Sequence, residues 1–397
     1  MMRHRLKSRL THGLPLAAAL LSAALLATAC GSSSHHSSSS SSSASSSGLA
    51  RADAMVASLS KTTTSFSAPG PALKNVKSLK GKTVWYVPIS LSAPVFAIGQ
   101  SSLSTALSKA GIKEHACNGD SNPSAIAACI NEAVARGAGA IITDSVPVVL
   151  AVPAFANAES HHIPVLITDQ LPPPHGMPGA VTGNGNDKLA YALSQDATQV
   201  EGVAAWAIAN SHGKANALME TFTDSPSTLA YGAAAQSLFK QDCPGCTVTV
   251  QKVALANASL VPSQTSSALL RHPSIDYVLP EFDATLQATA QGVQQAGFVK
   301  KAKIATSGGD LPALQEIKAG RLAADVGEDF PYAGWADADE VMRMMLGMPV
   351  VTEHVPVRLF TAANVGSLPL TPAAQASGAW YGTSSYIPMF EHLWGVK

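Results

Sequence analysis

Short apolar runs alternate with longer amphipathic stretches from about residue 81 onward. "KTVWYVPI" leads into the helix-like "FAIGQSSLSTALSKAG", which stops at glycine. Then come "IKEHAC", a helix over 123–136, "GAIITDS", a helix ending at His162, and "IPVLITD". Pro153 interrupts the pattern of that last helix and leaves its boundary open. A long predicted helix over 188–210 opens a second series: "KANALMETF", helix to Lys240, "TVTVQKVAL", helix to His272, "IDYVLPEF", helix to Gly297, "KAKIATSGG". The runs are apolar on both faces and each leads into an amphipathic helix, which predicts parallel sheets covered on both sides. Two consecutive series of similar length predict two similar lobes. "LAADVGEDF", a helix over 333–346 and "EHVPVRLF" complete them. No repeat of solenoid length is present.

The first 80 residues read differently. A basic start, an apolar run from Leu14 to Ala27 and small residues before Cys30 form an export signal. The apolar run is shorter than the ~20 residues of a comfortable membrane span. From Gly31 to Gly48 the chain is almost all serine, a composition that buries nothing and predicts a flexible spacer. His35 and His36 within it are a solvated pair rather than a metal site. Removing Arg3, Arg5, Lys7 and Arg9 with the signal leaves 22 of the 26 bases against 26 acids. That mild acidic excess gives no basic surface for nucleic acid. Apart from Cys30 there are four cysteines, an even number suited to an oxidising compartment. Sequence proximity favours Cys117 with Cys129 and Cys243 with Cys246. "CPGC" follows a helix and precedes a strand, the reverse of a redox motif, so a turn clip is expected. The four cysteines lack the second ligand pair of a zinc site.

Ligands of open parallel sheets meet the loops at the carboxyl ends of strands. The polar residues there are Ser90, Ser92, Asp144, Ser145, Asp169 and Gln170 in the first series. In the second they are Thr223, Asp224, Glu281, Asp283, Asp310, Glu328 and Asp329. Phe96, Phe222, Phe282, Phe330 and Tyr332 interleave with them. Carboxylates accept hydrogen bonds from hydroxyl pairs, and aromatic faces stack on the apolar face of a sugar ring. The bland alternative is helix capping, since several of these positions precede helices. Enzyme signatures are missing: "GNGND" lacks dinucleotide-loop spacing, and neither a phosphate loop nor a nucleophile elbow occurs.

In order, these motifs resemble the type I periplasmic binding proteins, in particular the ribose-binding-like branch that serves ABC transporters. "GKTVWYVPISLSAPVF" is similar to that family's opening strand and loop, and "GAGAIITDSVP" and "HHIPVLITDQ" to its third and fourth strands. "IDYVLPEFDATLQATAQGVQQAG" and "GGDLPALQEIKAGRLAADVGEDFPYAGWADADEVM" are similar to its later blocks. The resemblance runs from Lys82 to Val357. It implies an α/β fold of two Rossmann-like lobes with parallel sheets, joined by three crossovers and closing on a ligand in the hinge cleft. On this alignment Phe96 is a ring-stacking aromatic and Asp169 the acid that holds sugar hydroxyls. Glu328 stands where Gln is frequent. Ala93 replaces the usual Asn, Gln170 a common Arg, Phe282 a frequent Asn, and Gly309 the usual Asp with Asp310 beside it, so ribose itself is not implied.

The segment around Cys30 likewise resembles the lipobox of bacterial lipoproteins. The implied organisation is a signal peptide (1–29), a lipid-bearing flexible tether (30–78), an N-terminal lobe (79–195 plus 329–352), a C-terminal lobe (196–328 plus 353–362) and an extension (363–397). Tyr386, Phe390, Leu393 and Trp394 form one helical stripe in that extension, expected to dock on the body. The implied function is a monomeric, non-enzymatic receptor without metal or cofactor, anchored through Cys30 outside the cell membrane. It would deliver a sugar or polyol to an ABC permease, its ligand residues being Ser90, Ser92, Phe96, Asp144, Asp169, Gln170, Asp224, Phe282, Asp283, Asp310 and Glu328. Alternatives are a sensor for a membrane kinase, or a receptor for a cationic amine held by acids and aromatics.

Overall fold

Strand and helix alternate much as the hydrophobic pattern predicts, in a computed structural model that describes residues 40–192 and 195–397. The export signal, Cys30 and the first part of the serine run lie outside the described residues. The first described element is a helix, α1 (Ser40–Leu59). The first lobe follows with β1 (Thr83–Pro88), α2 (Pro94–Lys109), β2 (Lys113–Ala116), α3 (Pro123–Ala135), β3 (Ala140–Asp144), α4 (Val152–Ser160), β4 (Val165–Thr168) and β5 (Leu189–Ala192). Its five strands are parallel in the order β2-β1-β3-β4-β5. Helices begin where sequence chemistry lets them: Asn122 Oδ1 accepts from the Ser124 N–H at 2.8 Å, and Pro123 follows in the first turn. Pro153 likewise sits in the first turn of α4, so it starts that helix rather than breaking it.

The second lobe comprises α5 (Asp196–Asn210), β6 (Asn216–Phe222), α6 (Pro226–Asp242), β7 (Thr247–Val253), α7 (Val261–Arg271), β8 (Tyr277–Pro280), α8 (Leu286–Gln295), β9 (Lys303–Gly308), α9 (Leu311–Lys318) and β10 (Ala324–Glu328). The chain then returns to the first lobe as α10 (Phe330–Met345), which packs along α2, and crosses back as β11 (Val357–Thr361). α11 (Ala362–Val365), α12 (Pro372–Ala376) and α13 (Tyr386–Leu393) end the chain. The second sheet has the order β11-β10-β9-β8-β6-β7, all parallel except β11, which pairs antiparallel with β10.

Two expectations are corrected. The predicted helix over 188–210 is a strand and a helix: Leu189–Ala192 pairs with Val165–Thr168 as β5, and α5 starts only at Asp196. A four-residue apolar run fits either period, and pairing with β4 decides it. Residues 40–78, expected to belong to a flexible tether, are instead folded onto the body. α1 lies on the second lobe, with Ala52 1% exposed in that lobe's core and Arg51 Nε donating to Asp242 Oδ1 at 2.9 Å. Gly48 makes this approach possible, because a Cβ there would stand 2.2 Å from the Asp242 carbonyl oxygen. Further on, Phe66 stacks on Tyr332 with ring centroids 5.0 Å apart, and Leu73 and Val76 are buried in the first lobe's core.

The C-terminal stripe docks on the same core. Tyr386, Phe390, Leu393 and Trp394 are all buried there, and Trp394 stacks on Trp335 at 5.4 Å. Cys117 is bonded to Cys129 and Cys243 to Cys246, with Cα separations of 5.7 and 5.3 Å. Cys243 caps the end of α6 and Cys246 immediately precedes β7, so the second bridge is a turn clip. Among the described residues no helix is long and apolar enough to cross a membrane.

Candidate functional site

Strand order reverses between β1 and β3 in one sheet and between β6 and β8 in the other, and such switch points leave a crevice at the strand ends. The two lobes meet across that crevice. Ser227 Oγ, in the first turn of α6, donates to Gln170 Oε1 at 3.0 Å and accepts from the Leu171 N–H at 2.9 Å. Ser227 is 2% and Gln170 5% exposed, so this contact is dry and the cleft is shut. Gln170 therefore serves as a contact between lobes.

Three of the sequence-predicted acids, Asp144, Asp169 and Glu328, line one small cavity of ≈ 30 Å³ at the hinge side of the crevice. Asp144 ends β3 and Asp169 follows β4, beside residues turned by left-handed backbone (Ser145 φ 55°, Asp169 φ 57°). Non-glycine residues seldom adopt that conformation, and it aims strand-end side chains that would otherwise continue the pleat. Asp144 Oδ2 accepts from the Tyr86 hydroxyl. Glu328 ends β10, is 1% exposed, and accepts from the Gln195 N–H at 3.0 Å, tying two crossovers together. The cavity also holds Phe330, one of the aromatics singled out in the sequence, and three side chains that the sequence reading passed over: Tyr86, Asp337 and Glu353. Asp337 lies on α10 beside Ala333, Gly334 and Ala336, a face of small residues that lets the helix approach closely. A Cβ on Gly334 would come within 2.6 Å of the Gly99 carbonyl oxygen of α2. Neither Asp337, on a helix face, nor Glu353, in the segment before β11, carried a sequence signal of its own.

The electrostatics of the cavity follow from burial and like charge. Burial raises the Asp144 carboxyl above its usual range. Asp169 is held well above it by burial and then by the charges of Asp144, Asp196 and Glu328. Burial, with Asp144 and Glu328 next, does the same to Asp337. Glu328 and Glu353 are each pushed up to about 8, chiefly by burial. Such a site favours either protonated acids or a positive guest.

The other predicted residues lie outside this cavity. Ser90 and Ser92 share a 2.7 Å hydrogen bond after β1, and Phe96 is half-buried in the first turn of α2. Phe282 packs on Phe222 at 5.7 Å, and Asp224 is exposed beyond β6. Asp283 and Asp310 form a separate group in the second lobe. There Asp283 Oδ2 accepts from the Asp310 N–H at 3.0 Å and Asp310 Oδ1 from Gln375 Nε2 at 3.3 Å. The C-terminal segment thus meets these strand ends. No cluster of three His, Cys, Asp or Glu that could hold a metal ion occurs among the described residues.

Solved structures share this architecture. A solute-binding protein of an ABC transporter from Agrobacterium vitis, bound to alpha-D-tagatopyranose, is 17% identical with a TM-score of 0.64 over 76% of this chain and 99% of its own. Another from the same organism, with bound allitol, is 17% identical with a TM-score of 0.62 over 72% and 98%. One from Bacillus halodurans C-125, with bound myo-inositol, is 16% identical with a TM-score of 0.60 over 72% and 97%. No curated protein matches at the sequence level. Residues 84–348, more than half of the chain, match the periplasmic binding protein domain. Joined to two sheets around one cleft, that match places the chain in the periplasmic binding protein domain family, with the type I fold.

Proposed function

We propose that this protein is an extracytoplasmic solute-binding lipoprotein. It captures a small polar ligand, a sugar or polyol, by closure of its lobes and delivers it to an ABC permease. The observation that carries this reading is the cleft between parallel-sheet lobes, shut by Ser227 against Gln170 and Leu171 and lined at its hinge end by Asp144, Asp169 and Glu328. Hinge closure around a ligand needs no covalent chemistry. Family membership and the sugars and polyols held by neighbours of the same fold support it. Anchoring through Cys30 would keep the receptor beside its permease.

A thermal-shift screen of hexoses, pentoses, hexitols and inositols tests the reading. At least one should raise Tm, since a ligand at about 100 times its Kd adds roughly 2.7 kcal/mol of stability. Asp169→Ala should weaken that ligand at least tenfold. Unchanged affinity would remove Asp169 from the site.

A further inference from the structure

The cavity at the hinge end of the cleft is lined by five acids and no base. Asp144, Asp169, Glu328, Asp337 and Glu353 converge on it from both sheets, from α10 and from the segment before β11. Arg343, the buried guanidinium of α10, is engaged elsewhere, its Nε donating to Asp339 Oδ2 at 2.6 Å. Two of the lining acids keep an oxygen with no hydrogen-bond partner, Asp144 Oδ1 and Glu353 Oε1, although the residues are only 7% and 8% exposed. Buried polar atoms are nearly always paired, so unpaired acceptors on two residues that line one cavity mark where a donor binds.

Hydroxyl donors alone would satisfy those two oxygens and leave the acids able to ionise only against one another's charge. An ammonium group answers both needs, because it offers three N–H donors and a positive charge in a poorly solvated space. The directions of the acid shifts agree: burial and neighbouring carboxylates hold Asp169 and Asp337 well above the usual range, the condition a cation relieves. Among the described residues no group of three His, Cys, Asp or Glu could hold a metal ion, and an organic ammonium is the cation that suits a solute cleft.

We propose that the ligand is an amino-substituted sugar or cyclitol, whose ammonium group enters the cavity bounded by Asp144, Asp337 and Glu353. This rests on the solute-receptor reading and names the ligand's charge. The hydroxyls remain with the strand-end residues of the cleft.

The test is calorimetric titration of the purified protein with matched pairs. These are D-glucosamine with D-glucose, D-galactosamine with D-galactose, N-methyl-D-glucamine with D-glucitol, and scyllo-inosamine with scyllo-inositol. N-acetyl-D-glucosamine serves as an uncharged amide, and spermidine as an amine without hydroxyls. At least one amino compound should bind tenfold or more tightly than its hydroxyl twin, and N-acetylation should remove the gain. Asp337→Asn and Glu353→Gln should each weaken the amino compound at least tenfold and leave the neutral twin within twofold. Both should keep or raise the Tm of the empty protein, which separates lost recognition from lost folding. Equal or tighter binding of the neutral twins, or amine binding indifferent to both substitutions, overturns the inference while the sugar reading stands. Binding of spermidine alone overturns the sugar reading and, with it, the hydroxylated ligand proposed here. Binding by no member of the panel overturns both.

Discussion

At the scale of single residues, the buried acids couple stability to pH. Glu281, Glu328 and Glu353 are each raised from 4.5 to about 8 and Asp329 from 3.8 to about 7, in every case first by burial. Below the lower values, folded and unfolded chains are both protonated and these groups are neutral in the balance. As pH rises past about 4.5 the unfolded chain releases protons that the folded chain still holds, so stability falls until the folded values are passed. The ligand-free protein should therefore melt roughly 5 °C or more lower at pH 8 than at pH 5, by calorimetry. A Tm rising over that range would contradict the assignment. Asp144, Asp169 and Glu328 were legible in the sequence because each ends an apolar strand, where ligands meet such sheets. Asp337 and Glu353 were not, because a helix face and a connecting segment acquire a direction only when α10 packs on α2.

At the scale of elements, the structure adds the capping side chains of Asn122 on α3 and Ser225 on α6, while the strands and most helices followed from period. β5 did not, since Leu189–Ala192 has no pattern of its own and takes its state from its neighbour β4. α1 was hidden by its serines, yet Gly48, Ala52, Met55 and Leu59 lie three or four residues apart and form the face turned to the second lobe. Ala52→Glu would force a charge into that seam. Limited trypsin digestion should then cut at Arg51 faster than in the wild type, and Tm should drop by roughly 3 °C. Unchanged digestion and Tm would show that α1 adds nothing to the body.

At the scale of the whole molecule, the lobes are joined by more than the three crossovers of the two-lobe plan. Those run from β5 to α5, from β10 to α10 and from α10 to β11. The N-terminal segment also passes from Leu59 in the second core to Phe66 in the first, and the C-terminal segment from Tyr381 to Tyr386. These two extra crossings pair with each other: the Thr63 N–H donates to the Tyr381 carbonyl at 2.8 Å and the Thr383 N–H to the Thr63 carbonyl at 3.1 Å. Gly382 permits the pairing, with φ 142° and no room for a Cβ, which would lie 2.0 Å from the Thr63 oxygen. Gly382→Val should separate the two segments, cost ~1–3 kcal/mol, and give a larger radius of gyration for the ligand-free protein by small-angle scattering. An unchanged radius would show that the crossings do not restrain the lobes. By itself the sequence determined the alternation of strand and helix, the two-lobe plan and the strand-end acids, because period and residue chemistry act within a few neighbours. Only the tertiary structure decided that Gln170 meets Ser227, that both chain ends strap the hinge, and that five acids share one cavity. Those facts depend on segments well separated along the chain, 57 residues apart for Gln170 and Ser227, whose meeting no local pattern encodes.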